Sequence, residues 1–89
     1  MNRYVLTLVF RNDLEEKARK EFLETVTKNF EKVEKEENWG SRDLAYPINK
    51  QTKGYYVHYT FTADPKTIAP LDKQLKLEED VIRYLLIRD

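Results

Sequence analysis

The order of strand-like and helix-like segments along the chain is the feature that most constrains its fold. The sequence opens with "RYVLTLVF", residues 3–10, in which every position from Val5 to Phe10 except Thr7 is apolar. Such a run, apolar on both faces of the pleat, is typical of a strand covered on both sides. An amphipathic segment follows, then two strand-like runs, a second helical pattern and a last strand-like run. The order is therefore βαββαβ.

The first helical segment starts with a capping pattern. Asp13 is predicted to cap the helix, and Glu16, three residues later, completes a capping box. Apolar residues then recur at helical spacing along one stripe, while the other positions are mostly charged. The stripe consists of Leu14, Ala18, Phe22, Val26, Phe30 and Val33. The pattern predicts a helix that packs this stripe against a sheet.

Two strand-like runs joined by a polar turn make up the middle of the chain. "WGSRDLAY", residues 39–46, is the second predicted strand, and Gly40 marks a bulge or bend in it. Pro47 cannot donate to a ladder, which places this strand at a sheet edge. "KQTKG", residues 50–54, is predicted as the turn, and "YYVHYTFT", residues 55–62, is rich in aromatic and β-branched residues and forms the third strand.

A proline decides where the second helix begins. Pro70 would cost about 3 kcal/mol in a helix interior but little in the first turn, where N–H groups have no intrahelical partner. We therefore predict a helix capped by Thr67 that runs to about Lys76, after a turn at Asp64 and Pro65. Its inward positions are Ile68, Leu71 and Leu75, with Leu77 a further candidate.

Right-handed crossovers turn this order into an α+β, ferredoxin-like sandwich. Both helices lie on one face of a four-stranded antiparallel sheet, with strands one and three central and strands two and four at the edges. The last strand is "VIRYLLIRD", residues 81–89. A length of 89 residues suits one small domain, which we expect to span residues 1–89 and to be monomeric when isolated.

Strand alternation predicts which side chains face the helices and which lie on the opposite, open face. The inward set is Leu6, Leu8, Phe10, Val57, Tyr59, Phe61, Tyr84 and Leu86. The open face then carries Arg3, Thr7, Thr60, Thr62 and Arg83 together with six candidates for a protein-partner surface: Val5, Val9, Tyr56, His58, Leu85 and Ile87. A contiguous apolar patch on an otherwise polar protein indicates a partner. Homodimer packing and an error in the predicted register are the alternatives.

Charge argues against autonomous binding to nucleic acid. The chain has 16 basic and 16 acidic residues, and phosphate contacts supply most non-specific affinity for nucleic acid. Residues 13–37 carry nine acids and six bases, so that segment is acidic and the remainder mildly basic. The apolar run after the first residues ends at Arg11 and Asn12, too early for a signal peptide or a membrane span. We expect a soluble intracellular protein.

The residues offer no catalytic or metal-binding constellation. Cysteine is absent, His58 is the single histidine and Ser41 the single serine. A metal site would have to be assembled from carboxylates, which cluster on the charged helix, so we expect no metal and no cofactor. Gly40 and Gly54 are too far apart for a glycine-rich phosphate loop. An enzyme is not expected.

An RNA-recognition motif shares this topology and reads bases with aromatic residues of its third strand. "GYYVHYTF", residues 54–61, fits superficially, but no second glycine follows Tyr55 as the motif requires. Aromatic stripes in strands are more often core than base platforms. An autonomous RNA-binding domain of this kind stays open as an alternative.

The middle of the chain resembles a known family. "NWGSRDLAYPINKQTKGYYV", residues 38–57, is similar to the signature of the bacterial small-subunit ribosomal protein S-six family, Trp-Gly-x-Arg-x-Leu-Ala-Tyr-Pro-Ile-x-Lys followed by Gly-Tyr. The opening "MNRY" and "QLKLEEDVIRYLLIR", residues 74–88, resemble the family's start and its last helix–strand unit. The resemblance implies a ribosomal, cytoplasmic role: binding the central domain of small-subunit rRNA jointly with ribosomal protein S-eighteen.

The resemblance also implies candidate RNA-binding residues. They are Arg3, Arg42, Tyr46, Lys50, Lys53, Arg83 and Arg88. For Lys50 and Lys53 a solvated hairpin tip is an equal alternative. Asp43 departs from the family, many members of which have a second basic residue there, and that weakens this stretch as a phosphate contact. Members often continue past the last strand into a polar tail that lies along the protein partner, whereas this sequence ends at Asp89. An engineered or repurposed ferredoxin-like scaffold is a further alternative.

Overall fold

The computed structural model describes residues 2–48 and 51–89 and shows the predicted order of elements. They are β1 (Asn2–Arg11), α1 (Glu16–Thr27), β2 (Lys32–Ile48), β3 (Gln51–Ala63), a 3₁₀ turn (Pro65–Thr67), α2 (Ile68–Leu77) and β4 (Val81–Arg88). The strands form one antiparallel sheet in the order β2-β3-β1-β4. The α+β, ferredoxin-like sandwich is thereby confirmed, with β1 and β3 central.

The core lies between the sheet and the two helices. It is built from the inward side chains of the central strands and from the apolar sides of α1 and α2. Its buried members are Tyr4, Leu6, Leu8, Phe10, Leu23, Val26, Val57, Tyr59, Phe61, Ala63, Leu71 and Leu75. The predicted strand parity is confirmed: Tyr84 and Leu86 also pack against this cluster, while Leu85 and Ile87 are exposed.

The start of α1 differs from the predicted capping box. The helix begins at Glu16, after Glu15 in extended conformation, and no side chain caps it. Asp13 instead pairs with Arg11, at 3.4 Å from carboxylate oxygen to guanidinium nitrogen. A turn precedes the helix, in which the Leu14 N–H donates to the Arg11 carbonyl at 3.2 Å. The chain uses these residues to pass from the sheet to the helical layer, so Asp13 lies too early to cap.

The end of α1 corrects a second prediction. The helical stripe was expected to continue through Phe30 to Val33, but the helix ends at Thr27. The Glu31 N–H donates to the Thr62 carbonyl at 2.8 Å, so the chain joins the sheet there. Phe30 still packs in the core, stacked on Phe61 with ring centroids 3.7 Å apart. Long-range ladder bonds thus override the helical pattern of this charged segment.

The second strand is accordingly longer than predicted. Strand β2 starts at Lys32 rather than Trp39. It forms one edge of the sheet, as Pro47 predicted. The bulge at Gly40 is confirmed: its φ is +77°, and the pairing of β2 with β3 shifts register between Asn38 and Gly40. The predicted turn at residues 50–54 is too long, because β3 already begins at Gln51. Among these positions, Lys50 lies outside the described residues.

Helix α2 begins where Pro70 requires. Thr67 occupies the N-cap position, but its side chain caps no helix N–H and instead donates to the Asp64 carbonyl at 2.8 Å. Pro70 is the third residue of the helix, inside its first turn. Leu71 and Leu75 are fully buried, whereas Leu77 is 72% exposed and does not belong to the core. Neither helix of the described chain has the length and apolar character needed to cross a membrane.

A hydrogen bond ties α2 to the edge strand β4. The Tyr84 hydroxyl donates to Asp72 Oδ1 at 2.7 Å, and the Lys76 ammonium lies 3.2 Å from the same carboxylate. The bond from Tyr84, followed by that from Lys76, holds the pKa of Asp72 below its ordinary value. Burial and then the bond to Asp72 raise the pKa of Tyr84 to about 12. The second helix is thus anchored to the sheet at a polar contact.

Candidate functional site

The open face of the sheet brings together most of the predicted site residues. Across β1 and β4, Val5 lies opposite Ile87, Thr7 opposite Leu85 and Val9 opposite Arg83. Across β1 and β3 the same three β1 residues lie opposite Thr60, His58 and Tyr56. The predicted partner surface and the basic candidate Arg83 therefore share one face, whereas Arg88 lies opposite the core residue Tyr4, on the helix side of the sheet.

An apolar strip runs along the β1/β4 side of this face. It consists of Val5, Leu85 and Ile87, which are neighbours through the β1–β4 register. Leu85 is 57% exposed and Ile87 is 48% exposed, although both residues lie in regular strand. Side chains of this kind gain about 25 cal/mol per Å² of apolar surface removed from water, so the strip favours a covering partner.

Val9 differs from the prediction that placed it on the accessible surface. Its side chain is only 3% exposed. It lies over Gly54, where an added Cβ would come closer than 3.0 Å to Val9 Cγ1. Val9 is therefore part of the packed sheet and belongs to no docking surface. A shallow cavity of about 200 Å³ does open beside it, lined by Thr7, Val9, Tyr56, Arg83, Tyr84 and Leu85.

An aromatic group lies on the β2/β3 side of the open face, which we call the Trp39 stack: Trp39, Tyr56 and His58. The ring centroids of Trp39 and His58 are 5.1 Å apart and the rings are 8° from parallel. Trp39 and Tyr56 are 6.3 Å apart and 24° from parallel. His58 is thus half-buried beside an indole, so it offers a partner less surface than its strand parity alone predicted.

The Glu37 carboxylate, itself paired with Lys35, fixes the position of the indole. The Trp39 N–H donates to Glu37 Oε2 at 2.8 Å, and the Lys35 ammonium lies 2.9 Å from Glu37 Oε1. These bonds, that from Lys35 first, lower the pKa of Glu37 below its ordinary value. Thr7 Oγ1 lies 2.9 Å from His58 Nδ1 and bonds the imidazole from the neighbouring strand. The stack is therefore ordered before any partner arrives.

Sequence reasoning named Trp39 only as a position of the resembling motif and did not place it on a face. Strand alternation cannot be carried through β2, because the bulge at Gly40 changes which residues share a side. The bulge needs a positive φ at position 40, which glycine adopts without steric cost. A glycine directly after an aromatic residue in an edge strand was the available clue.

Four of the seven RNA-binding candidates fall into two groups. Within the described residues, Arg83, Lys53 and Arg42 have no carboxylate within 4.0 Å of their charged nitrogens. The Arg42 guanidinium carbon lies 5.4 Å from the Trp39 ring centroid. Arg3, by contrast, is 3.3 Å from Glu34 and 2.9 Å from Asp89. Phosphate binding by Arg3 would have to displace two carboxylates.

The remaining candidates are less well defined by the structure. Arg88 donates to Asn2 Oδ1 at 3.3 Å and ends the edge strand β4. Tyr46 is a residue of β2, and its side chain is not among those described. Lys50 lies outside the described residues. No group of three or more His, Asp or Glu side chains in the described part of the chain could hold a metal ion.

Two acidic residues, Glu24 and Glu36, line a concavity on the helix side of the sheet. A concavity of about 390 Å³ between α1 and β2 is lined by Lys20, Leu23, Glu24, Thr27, Val33, Glu36 and Tyr59. The Tyr59 hydroxyl donates to Glu36 Oε1 at 3.1 Å, and burial, followed by Glu36, raises the pKa of Tyr59. The open face combines the apolar strip with Arg83, and the carboxylates that reach this face, Glu34, Glu37 and Asp89, pair with Arg3 or Lys35.

Comparisons with known proteins agree on one family. The family model described as Ribosomal protein S6 matches residues 3–88. A small ribosomal subunit protein bS6 from Alkaliphilus metalliredigens is 37% identical over 91 residues, covering 99% of this chain and 97% of the relative. The bS6 protein of Halalkalibacterium halodurans is 38% identical over 93 residues, covering 100% of this chain and 98% of the relative.

Solved structures give the same result. The crystal structure of the 30S ribosomal protein S6 from Thermotoga maritima superposes with a TM-score of 0.90 and 26% sequence identity. That match covers 99% of this chain and 87% of the other. An uncharacterised protein of Thermotoga maritima shares the fold at a TM-score of 0.61 and 22% identity.

Proposed function

The chain belongs to the ribosomal protein S6 family, and from that premise we propose that it binds the central domain of small-subunit rRNA together with ribosomal protein S-eighteen. It is a protein of the small ribosomal subunit, and its family is structural rather than enzymatic. Its place is the ribosome, in the cytoplasm. We propose further that residues 1–89 form one domain, monomeric before assembly.

The observation that carries this proposal is the composition of the open face. An exposed apolar strip (Val5, Leu85, Ile87) lies beside Arg83, and Arg42 stands across the sheet. The strip suits a protein partner, because apolar area supplies most association energy while charged rims supply orientation. The two guanidiniums suit phosphate groups, which they bind in a bidentate way.

The net charge of the chain supports the proposal that it binds RNA together with a second protein. The basic and acidic residues cancel at 16 each, so few phosphates can be neutralised by this chain alone. Non-specific affinity for nucleic acid comes mostly from released counterions, and each phosphate contact adds to it. A basic protein bound to the apolar strip would add the missing contacts. We therefore expect weak RNA binding by the isolated chain and tight binding by the protein pair.

Filter binding to a central-domain RNA fragment, with and without the S-eighteen partner, tests this function. The informative variant is Leu85→Gln with Ile87→Gln, which removes the strip without adding charge. Leu77→Gln is the control, because Leu77 is an apolar residue at the end of α2 that is even more exposed than Leu85 and Ile87. We expect the double variant to lose the partner's effect on RNA affinity and the control to keep it.

Three results would contradict the proposal in different ways. Tight, sequence-specific binding by the isolated chain would favour the autonomous RNA-binding alternative. Failure of the wild-type pair to bind would favour a repurposed scaffold. Equal losses in the strip variant and the Leu77 control would show that the strip is not the partner surface.

A further inference from the structure

Trp39 has an exposed ring that the fold itself does not use. It is the single tryptophan of the chain and is 38% exposed, yet it lies in a strand rather than a loop. Its neighbours on the open face, His58 and Tyr56, contact it in near-parallel arrangement at 5.1 and 6.3 Å. The indole thus forms the outer layer of the Trp39 stack.

The ring is held in place before binding. Its N–H donates to Glu37, which Lys35 in turn holds by an ion pair of 2.9 Å. Ordering a rotamer-rich side chain at an interface opposes binding, and a side chain that is already fixed avoids that cost. The carboxylate that orients the indole is neutralised by Lys35, so it offers less repulsion to a phosphate chain. The position is therefore suited to an anionic ligand with a flat ring.

A cation lies over the ring and is only weakly held, so a base that stacks on the indole displaces it toward an adjoining phosphate. The Arg42 guanidinium carbon is 5.4 Å from the Trp39 centroid, and Arg42 Nε donates to the Trp39 carbonyl at a long 3.5 Å. Among the described residues no carboxylate pairs with Arg42. A bond of that length is near the limit of a hydrogen bond, so a phosphate can replace it at little cost.

We propose that the Trp39 stack binds an unpaired RNA base, which lies on the indole while Arg42 binds an adjoining phosphate. The inference rests on the proposed function and specifies which part of the RNA this face contacts. Aromatic side chains bind unpaired bases by stacking because every base has a π-face, whereas a paired helix shows none. Stacked positions of this kind tolerate any of the four bases.

A base fits this place better than a protein side chain does. The apolar strip lies on the β1/β4 side of the sheet, while the Trp39 stack lies on the β2/β3 side. An aliphatic anchor would gain most on the strip, where no charge has to be desolvated. A flat ring with a weakly held Arg42 over it suits a ligand that carries both a π-face and a negative charge, and a nucleotide carries both.

Fluorescence of Trp39 and RNA affinity together test the proposal. The RNA fragment is titrated into the wild-type protein paired with its partner protein, and the same titration of Trp39→Phe supplies the background emission of the partner. We expect Trp39 emission to be quenched on binding. Trp39→Leu should weaken RNA binding about 5- to 150-fold, the range for loss of one stacked base, and Trp39→Phe should keep most of the affinity.

Arg42 and the partner protein give the necessary controls. Arg42→Gln should weaken binding for all sequences and reduce the salt slope by about 1, as for one lost phosphate contact. Trp39→Leu should bind the partner protein normally in the absence of RNA. If that variant fails to bind the partner without RNA, the stack is a protein contact and the proposal is wrong.

The failure of this inference differs from failure of the proposed function. If the wild-type protein pair does not bind the RNA at all, both the proposed function and the stacking inference are wrong. If it binds with unchanged Trp39 emission, and Trp39→Leu binds equally well, only the stacking is wrong. The emission measurement uses the unmodified protein, so it decides the question even if Trp39→Leu proves poorly folded.

Discussion

Replacing Gly54 by alanine tests how tightly the open face is packed. Gly54 is buried in β3, opposite Arg11 on one side and Arg42 on the other. A Cβ built there would lie less than 3.0 Å from Val9 Cγ1, and within 3.5 Å of Leu44 Cδ2. Val9 is β-branched and 3% exposed, so it can neither change rotamer freely nor move into solvent. The added methyl group must therefore push strands apart.

The sign of the effect decides between packing and chain entropy. Without a clash, Gly→Ala stabilises a protein by about 0.4–1 kcal/mol, since alanine restricts the unfolded chain. Overpacking of a well-filled region costs about 1–3 kcal/mol. We expect Gly54→Ala to lower the free energy of unfolding by about 2 kcal/mol, which for a domain of this size lowers Tm by about 8–16 °C.

Urea unfolding of four proteins measures the packing term directly. They are the wild type, Gly54→Ala, Val9→Ala and the double variant. Val9→Ala removes the methyl group that the new Cβ meets, at a cost of about 1.5–3 kcal/mol for lost burial. The double variant should be less destabilised than the sum of the two single variants, by about 1–2 kcal/mol. Additive effects, or a stabilising Gly54→Ala, would refute the assignment of Val9 to the packed sheet.

Gly40 provides a matched control with a different mechanism. Its φ is +77° and an added Cβ would meet nothing within 4 Å. Gly40→Ala should therefore cost about 1–2 kcal/mol of backbone strain, while Gly40→Asn should cost less, because asparagine adopts this conformation more readily. At Gly54 the order should reverse, with asparagine worse than alanine.

Two further outcomes follow from the described contacts. Val9→Asp should lower stability by about 3 kcal/mol or more, as expected for an unpaired buried charge, whereas Leu85→Asp should stay within about 0.5 kcal/mol; urea midpoints measure both. Tyr84→Phe should lose the stabilisation that comes from the hydrogen bond between Tyr84 and Asp72. The resulting difference in free energy of unfolding from wild type should be constant between about pH 5 and 9. That difference from wild type should shrink as pH falls below the ordinary carboxyl pKa of 3.8, because the pKa of Asp72 is lowered in the folded state, and as pH rises past 10, because the pKa of Tyr84 is raised to about 12.

Periodicity was enough to predict the order of elements and the parity of the strands. Leu6, Leu8 and Phe10 alternate with open-face residues through regular strand, and no bulge interrupts β1 against β3. Pro70 likewise fixed the start of α2, since a proline fits only the first turn. Local chemistry decides such features, so a single sequence shows them.

The boundary between α1 and β2 could not be predicted in the same way. Phe30 and Val33 continue the helical stripe, and the charged residues around them are good helix formers. A strand forms instead because the Glu31 N–H donates to the Thr62 carbonyl, which is more than thirty positions away in the sequence. Such a bond forms only in the completed sheet, so the local helix propensity of these residues cannot predict it.

The candidate site was predicted in outline and missed in detail for a similar reason. Leu85 and Ile87 follow from parity and are exposed as expected. Val9 follows the same parity but is buried, because the neighbouring strand brings Gly54 beneath it. Trp39 reaches the open face only through the bulge at Gly40. Non-local pairing therefore determines which open-face residues a partner can reach.

The roles proposed for the two halves of the open face predict cooperative binding by a neutral chain. Phosphate contacts from Arg42 and Arg83, and one stacked base, would supply only part of the affinity that specific RNA binding needs. In the proposed function the apolar strip on the other half binds the partner protein, and this apolar contact contributes little salt dependence. Binding there raises RNA affinity if the partner's own cations reach the same RNA, and by linkage the RNA raises the partner's affinity by the same factor. A surplus of charge on this chain would weaken that coupling, because the chain would then bind RNA without its partner.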